Sequence, residues 1–354
     1  MVEYQHIGDE IGAKFLNMVA GLQIMIIEPW DKTQDSSLTL TDISFSNNKN
    51  MWNSTACAMT VDFESANVTI SGLTLSNNNA SAGVLSIDIT TGNLAVSESN
   101  ILDNVINVIN DYTSTASMTV SVGGGTLHIS NITTHHNGDN QLNLDNSVIQ
   151  TICKSTTSCI LENLVLVGDC VFLQPQNNLE TETMLRNVTI RNSTKGGIYV
   201  NVTQSHVDVM NVNIRNASRK EGAGIKVEIP DGSSVNMSDI HMTNLTANLG
   251  GACFHSKVTN GFYHISNSTC QSSQALGEND KDGGTGLMGT FSNATITIAD
   301  TQWYDLDPIA TGTIAFDMAN GGSFLMEDSY FEQVHSIGFG GGLSISLVGD
   351  AVVT

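Results

Sequence analysis

Twelve Asn-X-Ser/Thr sequons are the most frequent chemistry-bearing pattern in the chain, where its Asn, Ser and Thr content would produce about seven by chance. Each can accept an N-linked glycan if the Asn side chain reaches solvent in an exported protein. Nine are candidate carriers: Asn53, Asn67, Asn79, Asn192, Asn201, Asn216, Asn236, Asn244 and Asn293. The other three, Asn131, Asn187 and Asn267, fall at a bend described below, where a side chain turned inward could carry no glycan.

Other chemistry is sparse. His135 and His136 are metal-ligand types with Asp139 nearby, but adjacent residues of a strand point to opposite sides, so they read as surface turn residues. The run Glu278-Asn279-Asp280-Lys281-Asp282-Gly283 approaches a calcium loop, yet Gly289 stands where a bidentate Glu belongs, and the run reads as a solvated insertion. Arg186, Arg191, Arg215, Arg219, Lys220 and Lys226 are the one basic cluster; a solvated patch that relieves local acidity accounts for it. Cys153 and Cys159 are close enough in sequence to close a small disulfide loop. For Cys57, Cys170, Cys253 and Cys270, buried thiols and disulfides are equally compatible with the sequence. No catalytic, cofactor-binding or metal-binding residue is assigned.

The scaffold that must position these residues is constrained first by composition. Only 14% of the 354 residues are charged and 40% are apolar, while Asn, Ser and Thr make up close to a third of the chain. Such residues compete with the helical backbone, which excludes a helix-dominated fold, and the apolar content argues against disorder. Thirteen Lys+Arg against 35 Asp+Glu give a net charge of −22, which disfavours nucleic acid and anionic lipid as partners. Six cysteines without a C-x2-C pair fit an oxidising exterior.

One nine-residue unit returns eleven times, beginning at Leu40, Ile70, Val96, Ile129, Leu161, Leu185, Val209, Met237, Ile265, Ile298 and Met326, with a period of about 28 residues. Position one is always apolar. Position six is apolar in all copies but one, which has Thr134. Positions four and six share a face, whereas one and four differ by an odd number, so the alternation must break between them. Position three is the expected bend, and it holds Asp42, Asn131, Asn163, Asn187, Asn211, Asp239, Asn267, Asp300 and Asp328, residue types that tolerate left-handed backbone. A second strand, usually announced by glycine, follows each unit, as in Gly197-Ile198-Tyr199-Val200 and Gly224-Ile225-Lys226-Val227. The pattern predicts an all-β, right-handed, single-stranded parallel β-helix of about eleven coils over residues 38–354, forming a rod about 50 Å long.

Residues 1–37 read differently. The apolar run Phe15 to Ile27 is too short to span a bilayer and lacks a basic flank, so the segment is expected to be an N-terminal cap or docking piece. At the other end the pattern runs on to Val352-Val353-Thr354, as if the chain continued or its last edge were covered.

The bend column resembles the asparagine ladder of the right-handed β-helices of the pectin-lyase-like superfamily. Phe45-Ser46-Asn47-Asn48, Leu75-Ser76-Asn77-Asn78, Gly250-Gly251-Ala252 and Gly196-Gly197-Ile198 are also similar to the repeats of polymorphic outer-membrane adhesins. Lyases of that superfamily would imply a basic residue acting beside calcium, and its hydrolases would imply clustered Asp motifs such as NTD, DD and GHG; the latter do not occur here. The expectation is therefore an extracellular or cell-surface structural protein without catalytic activity or cofactor: a glycosylated subunit of a filament, fibre or adhesin. Its expected partners are copies of itself, head to tail or side by side, or other surface components, with no membrane span. A carbohydrate-active or carbohydrate-binding β-helix is the alternative, and a phage or viral spike a further one. No regular Thr-x-Thr column points to ice binding.

Overall fold

A computed structural model of the chain describes residues 36–50, 58–80, 83–106, 116–139, 149–176, 182–276, 284–308, 312–335 and 341–353, with short strands within the first 27 residues. Asn53, Cys57 and the 278–283 segment lie outside the described residues. The described residues form strands and turns with no helix, and they make an all-β parallel β-solenoid of about ten turns with a repeat of ~28 residues. Eleven copies of a unit bracket ten intervals, which reconciles the sequence count with the turns. The chain divides into two compact units, Met1–Asn177 and Asn178–Thr354.

Within the first unit the columns stack in the register that the repeat predicts. Leu38 and Leu40 of strand Ser36–Thr41 pair with Val68 and Ile70, which pair in turn with Leu94 and Val96, and these with Leu127 and Ile129. Position six runs from Phe45 to Leu75, Ile101, Thr134 and Leu166. The second unit repeats the arrangement, with Ile190, Ile214, Met242, Cys270, Trp303 and Phe331 aligned through five successive pairings. Leu40, Phe45, Ile70, Leu75, Ile190, Ile214, Met242 and Trp303 are all 0% exposed. Each such side chain contributes on the order of 1.5–3 kcal/mol by leaving water.

Position three breaks the alternation by left-handed backbone. All nine Asn or Asp residues of that column have φ between 44° and 56°, and Gly72 and Glu98, which fill it in the other two copies, have φ of 65° and 51°. Their side chains do not turn inward as the sequence suggested. Asn131, Asn187 and Asn267 are exposed, and Asn211 Nδ2 donates to Asn187 Oδ1 at 2.8 Å along the outside of the turn. A left-handed residue reverses the pleat, so the apolar residues on both sides face inward and the bend residue itself faces solvent.

A second left-handed bend, unforeseen from the sequence, occupies position eight: Asn47, Asn77, Asp103, His136, Gly168, Asn192, Asn216, Asn244, Ser272, Asp305 and Gln333 all have positive φ. It turns position nine into the interior. There the first unit carries its internal ladder, Asn48, Asn78, Asn104 and Asn137, each at most 1% exposed. Asn78 Nδ2 donates to Phe45 O at 3.0 Å and to Asn104 Oδ1 at 2.9 Å; Asn104 Nδ2 donates to Leu75 O at 2.9 Å and to Asn137 Oδ1 at 2.8 Å. Each amide thus satisfies both the carbonyl left by the bend and its neighbour in the stack. Asp169 ends the ladder, accepting from Asn137 Nδ2 at 2.9 Å. Beyond position nine, two-residue strands from Val19–Ala20 to Gly138–Asp139 form a small parallel sheet of five strands.

The glycines that announce the second strands have a packing reason. A Cβ on Gly197 would fall 2.7 Å from Ile214 Cδ1, one on Gly224 would strike Met242 Sδ, and one on Gly286 would lie 2.5 Å from Trp303 Cζ3. Ile214, Met242 and Trp303 are position-six residues, so the bare backbone of each glycine is the floor on which the apolar column rests.

Short strands in residues 1–37 also ladder in parallel onto the first turns. Glu10 and Ile11 pair with Thr39 and Leu40, Lys14 to Leu16 with Ser44 to Ser46, and Met25 to Ile27 with Met59 to Val61. Among the described residues no helix is long and apolar enough to cross a membrane.

Candidate functional site

Left-handed turns fix where the polar side chains of each unit emerge. In the second unit, Asn192, Asn216 and Asn244 occupy position eight with φ of 56°, 54° and 56°, and all three are exposed. Asn216 Nδ2 donates to Asn192 Oδ1 at 3.0 Å, and Asn244 Nδ2 to Asn216 Oδ1 at 2.7 Å. The three sequons therefore form one straight outward column. Asn293 is exposed at a left-handed turn and donates to Asn260 Oδ1 at 2.9 Å; Asn67 is exposed and accepts from Asn93 Nδ2 at 2.8 Å. Asn79, Asn201 and Asn236 are half-buried, and Asn236 Nδ2 donates to Asp208 Oδ1 at 3.0 Å.

The basic residues do not form one stripe. Arg191 pairs in register with Arg215 at position seven, and Arg186, earlier on the same strand as Arg191, lies opposite Met210. Arg219 and Lys226 instead converge on Tyr199, with Arg219 Cζ 5.6 Å and Lys226 Nζ 5.3 Å from the ring centroid. These distances suit cation–π attraction. Tyr199, Lys226 and His255 are successive members of one outward column on the strands Ile198–Asn201, Ile225–Ile229 and Phe254–Thr259. The Tyr199 hydroxyl donates to Glu228 Oε2 at 2.7 Å, while Lys226 Nζ lies 3.3 Å from Glu228 Oε1 and 3.6 Å from Glu221 Oε2. Burial alone would raise the Glu228 carboxyl; the Tyr199 hydroxyl and the Lys226 ammonium outweigh it and hold the group below the usual carboxylate value. Burial lowers the His255 imidazole, whose Nδ1 is buried without a hydrogen-bond partner among the described residues. The cluster is a network of mutually neutralising charges around one ring, and the sequence showed only its cationic half.

The histidine pair behaves differently from the strand reading. His136 is itself the left-handed residue of its turn, with φ of 46°, and this places both imidazoles on the same side, ring centroids 4.1 Å apart. His135 Nδ1 lies 3.2 Å from Oδ1 of Asp103, the left-handed residue one turn earlier. Asp103 is the carboxylate brought to the pair; the Asp139 side chain lies outside the described part of the chain.

Cys153 and Cys159 are joined as a disulfide, and Cys253 is joined to Cys270 of the apolar column. The second link ties the residue just before strand Phe254–Thr259 to the position-six column inside one unit, a pairing that spacing alone left open.

Fold and surface together define a class, a parallel β-solenoid with asparagine-lined turns. No protein-family model matches the chain, and no curated protein is significantly similar to it.

Proposed function

We propose that this chain is an extracellular or cell-surface structural protein, a glycosylated subunit of a filament, fibre or adhesin, with no catalytic role. The observation that carries the reading is the exposed column Asn192, Asn216 and Asn244, three sequons stacked at the same left-handed turn of successive repeats. Two disulfides within a low-charge, Asn-rich solenoid support an oxidising exterior. Turns rise by about 4.8 Å, less than the width of a glycan, so adjacent acceptors compete, and occupancy at Asn192 and Asn244 over all three is expected. The buried ladder at Asn48 to Asn137 supports kinship with the right-handed helices of the pectin-lyase-like superfamily. Partners on this reading are further copies, stacked end to end or side by side, or other surface components.

A second reading, a carbohydrate-binding or carbohydrate-active face, draws support from the Tyr199, Lys226 and His255 column, which spans three turns and has Arg219 at its edge. Against it, Lys226 is already held by two carboxylates. Two experiments test the proposal. Electron microscopy of native material should show fibres or surface attachment; dispersed monomers alone count against it. Incubation with acidic and neutral polysaccharides should release neither reducing ends nor unsaturated products, and turnover would transfer the case to the second reading.

A further inference from the structure

We infer that Asp103, His135 and His136 form a binding site for a divalent transition-metal ion on the outside of the first unit. One carboxylate oxygen and one nitrogen from each imidazole lie within 4.8 Å of one another, a spread that small side-chain rotations contract to the separations of a metal's inner sphere. Asp103 and His136 are exposed and His135 half-buried, so an ion can enter and keep open positions for water or a further ligand.

Three structural details converge on this trio. The first is backbone: Asp103 and His136 both have positive φ, 52° and 46°, and occupy equivalent positions of adjacent turns. Asp103 N donates to His135 O at 2.7 Å, and His136 N donates to Val167 O at 2.7 Å, so ladder hydrogen bonds hold both bends. The second is the 3.2 Å approach of His135 Nδ1 to Asp103 Oδ1, which brings an imidazole nitrogen and a carboxylate oxygen from adjacent turns within reach of one ion. The third is Gly168. It fills position eight on the next turn, where the other ten copies carry side chains, and a Cβ there would fall 2.5 Å from His136 Cδ2. The one glycine of that column is thus the residue that makes room for the second imidazole.

Ligand type selects the ion. Two imidazoles and one carboxylate suit Zn²⁺, Co²⁺, Ni²⁺ or Cu²⁺, whereas Mg²⁺ and Ca²⁺ prefer sites built wholly from oxygen. A net charge of −22 draws any cation toward the surface, and the imidazoles supply the discrimination that acidity alone lacks.

The test is calorimetric titration of the metal-stripped full chain with Zn²⁺, with Co²⁺ absorption spectra as a second readout. The proposal expects one strong site per chain, a Co²⁺ visible band, and no competition from millimolar Mg²⁺ or Ca²⁺. Asp103→Asn and His136→Asn keep side chains that tolerate left-handed backbone, so the turns should persist with unchanged circular dichroism. Each, like His135→Gln, should weaken Zn²⁺ at least tenfold and abolish the Co²⁺ band. Gly168→Ala should weaken binding without removing a ligand. Absence of stoichiometric binding, or binding unchanged in all three ligand variants, would overturn the site. The pairs His128 with Glu162 and His206 with Asp208 are the internal comparison, since each offers one imidazole beside one carboxylate. Loss of the signal on His128→Gln or His206→Gln in place of the Asp103 and His136 variants would also overturn it.

Discussion

Replacing Asn104 with Ala should be among the most damaging single substitutions in the first unit, although it removes no apolar surface. The Asn104 side chain makes four hydrogen bonds: Oδ1 accepts from Asn78 N at 3.0 Å and Asn78 Nδ2 at 2.9 Å, and Nδ2 donates to Leu75 O and Asn137 Oδ1. All lie at a residue 0% exposed, where water cannot substitute without opening the turn. Asn137 Oδ1 keeps its bond from Asn104 N, at 3.0 Å, and Asn78 Nδ2 keeps Phe45 O. Asn78 N, one of the two Asn78 Nδ2 hydrogens and one lone pair of Leu75 O lose their partners. The two buried Asn78 N–H groups so orphaned, at about 1–3 kcal/mol each, give about 2–6 kcal/mol. The control is Asn77→Gly one turn earlier: Asn77 is exposed with φ of 52°, a conformation glycine adopts freely, so its change should stay within about 0.5 kcal/mol. Hydrogen exchange of the full chain reads the difference locally, because a solenoid need not unfold as one cooperative body. In Asn104→Ala the Asn78 amide should exchange about 100-fold faster or more, while in Asn77→Gly it should be nearly unchanged. Equal protection in the two variants would refute the claim that the position-nine amides hold the turns closed.

Gly286→Ala should destabilise the second unit by about 1–3 kcal/mol, measured by urea denaturation, because the new methyl must displace the buried Trp303 ring. Stability should fall with acidification from the ordinary His255 value of 6.5 down to its lower folded value, because within that window the unfolded chain binds a proton that the folded chain refuses. The slope contributed is at most about 1.4 kcal/mol per pH unit, and His255→Gln should remove it from a series of denaturation curves. Tyr199→Phe removes a hydrogen bond that favours the ionised Glu228, so the Glu228 carboxyl should titrate higher, as read by carbon-detected NMR.

Period and apolar columns were legible in the sequence because position one is apolar in every unit and position six in all but one; positions one, four and six face inward, and a one-residue slip would expose them. The left-handed state of position three was legible from Asn and Asp. Its outward direction was not, since the same preference serves a bend facing either way, and only the apolar residues on both flanks decide it. The internal ladder was hidden by its extent. Asn48, Asn78, Asn104 and Asn137 share position nine, but later copies place Ser193, Ala217, Leu245, Ser273 and Leu306 there, so the column loses its chemical identity in the second unit. Within the first four copies alone the column is uniformly Asn. The Asp103, His135 and His136 trio is hidden in the sequence because strand alternation puts neighbouring histidines on opposite sides, and left-handed backbone at His136 suspends that alternation. The Tyr199 cluster escaped because its members come from three turns, and adjacency across a ladder follows only once register is known.

The most direct test of the functional account is glycopeptide mapping of the protein from its native source, with intact mass before and after glycosidase treatment. The account predicts a mass decrease on treatment and glycopeptides at the exposed column, Asn192 and Asn244 foremost. Unmodified peptides covering Asn192, Asn216 and Asn244, with no change in mass on treatment, would contradict it.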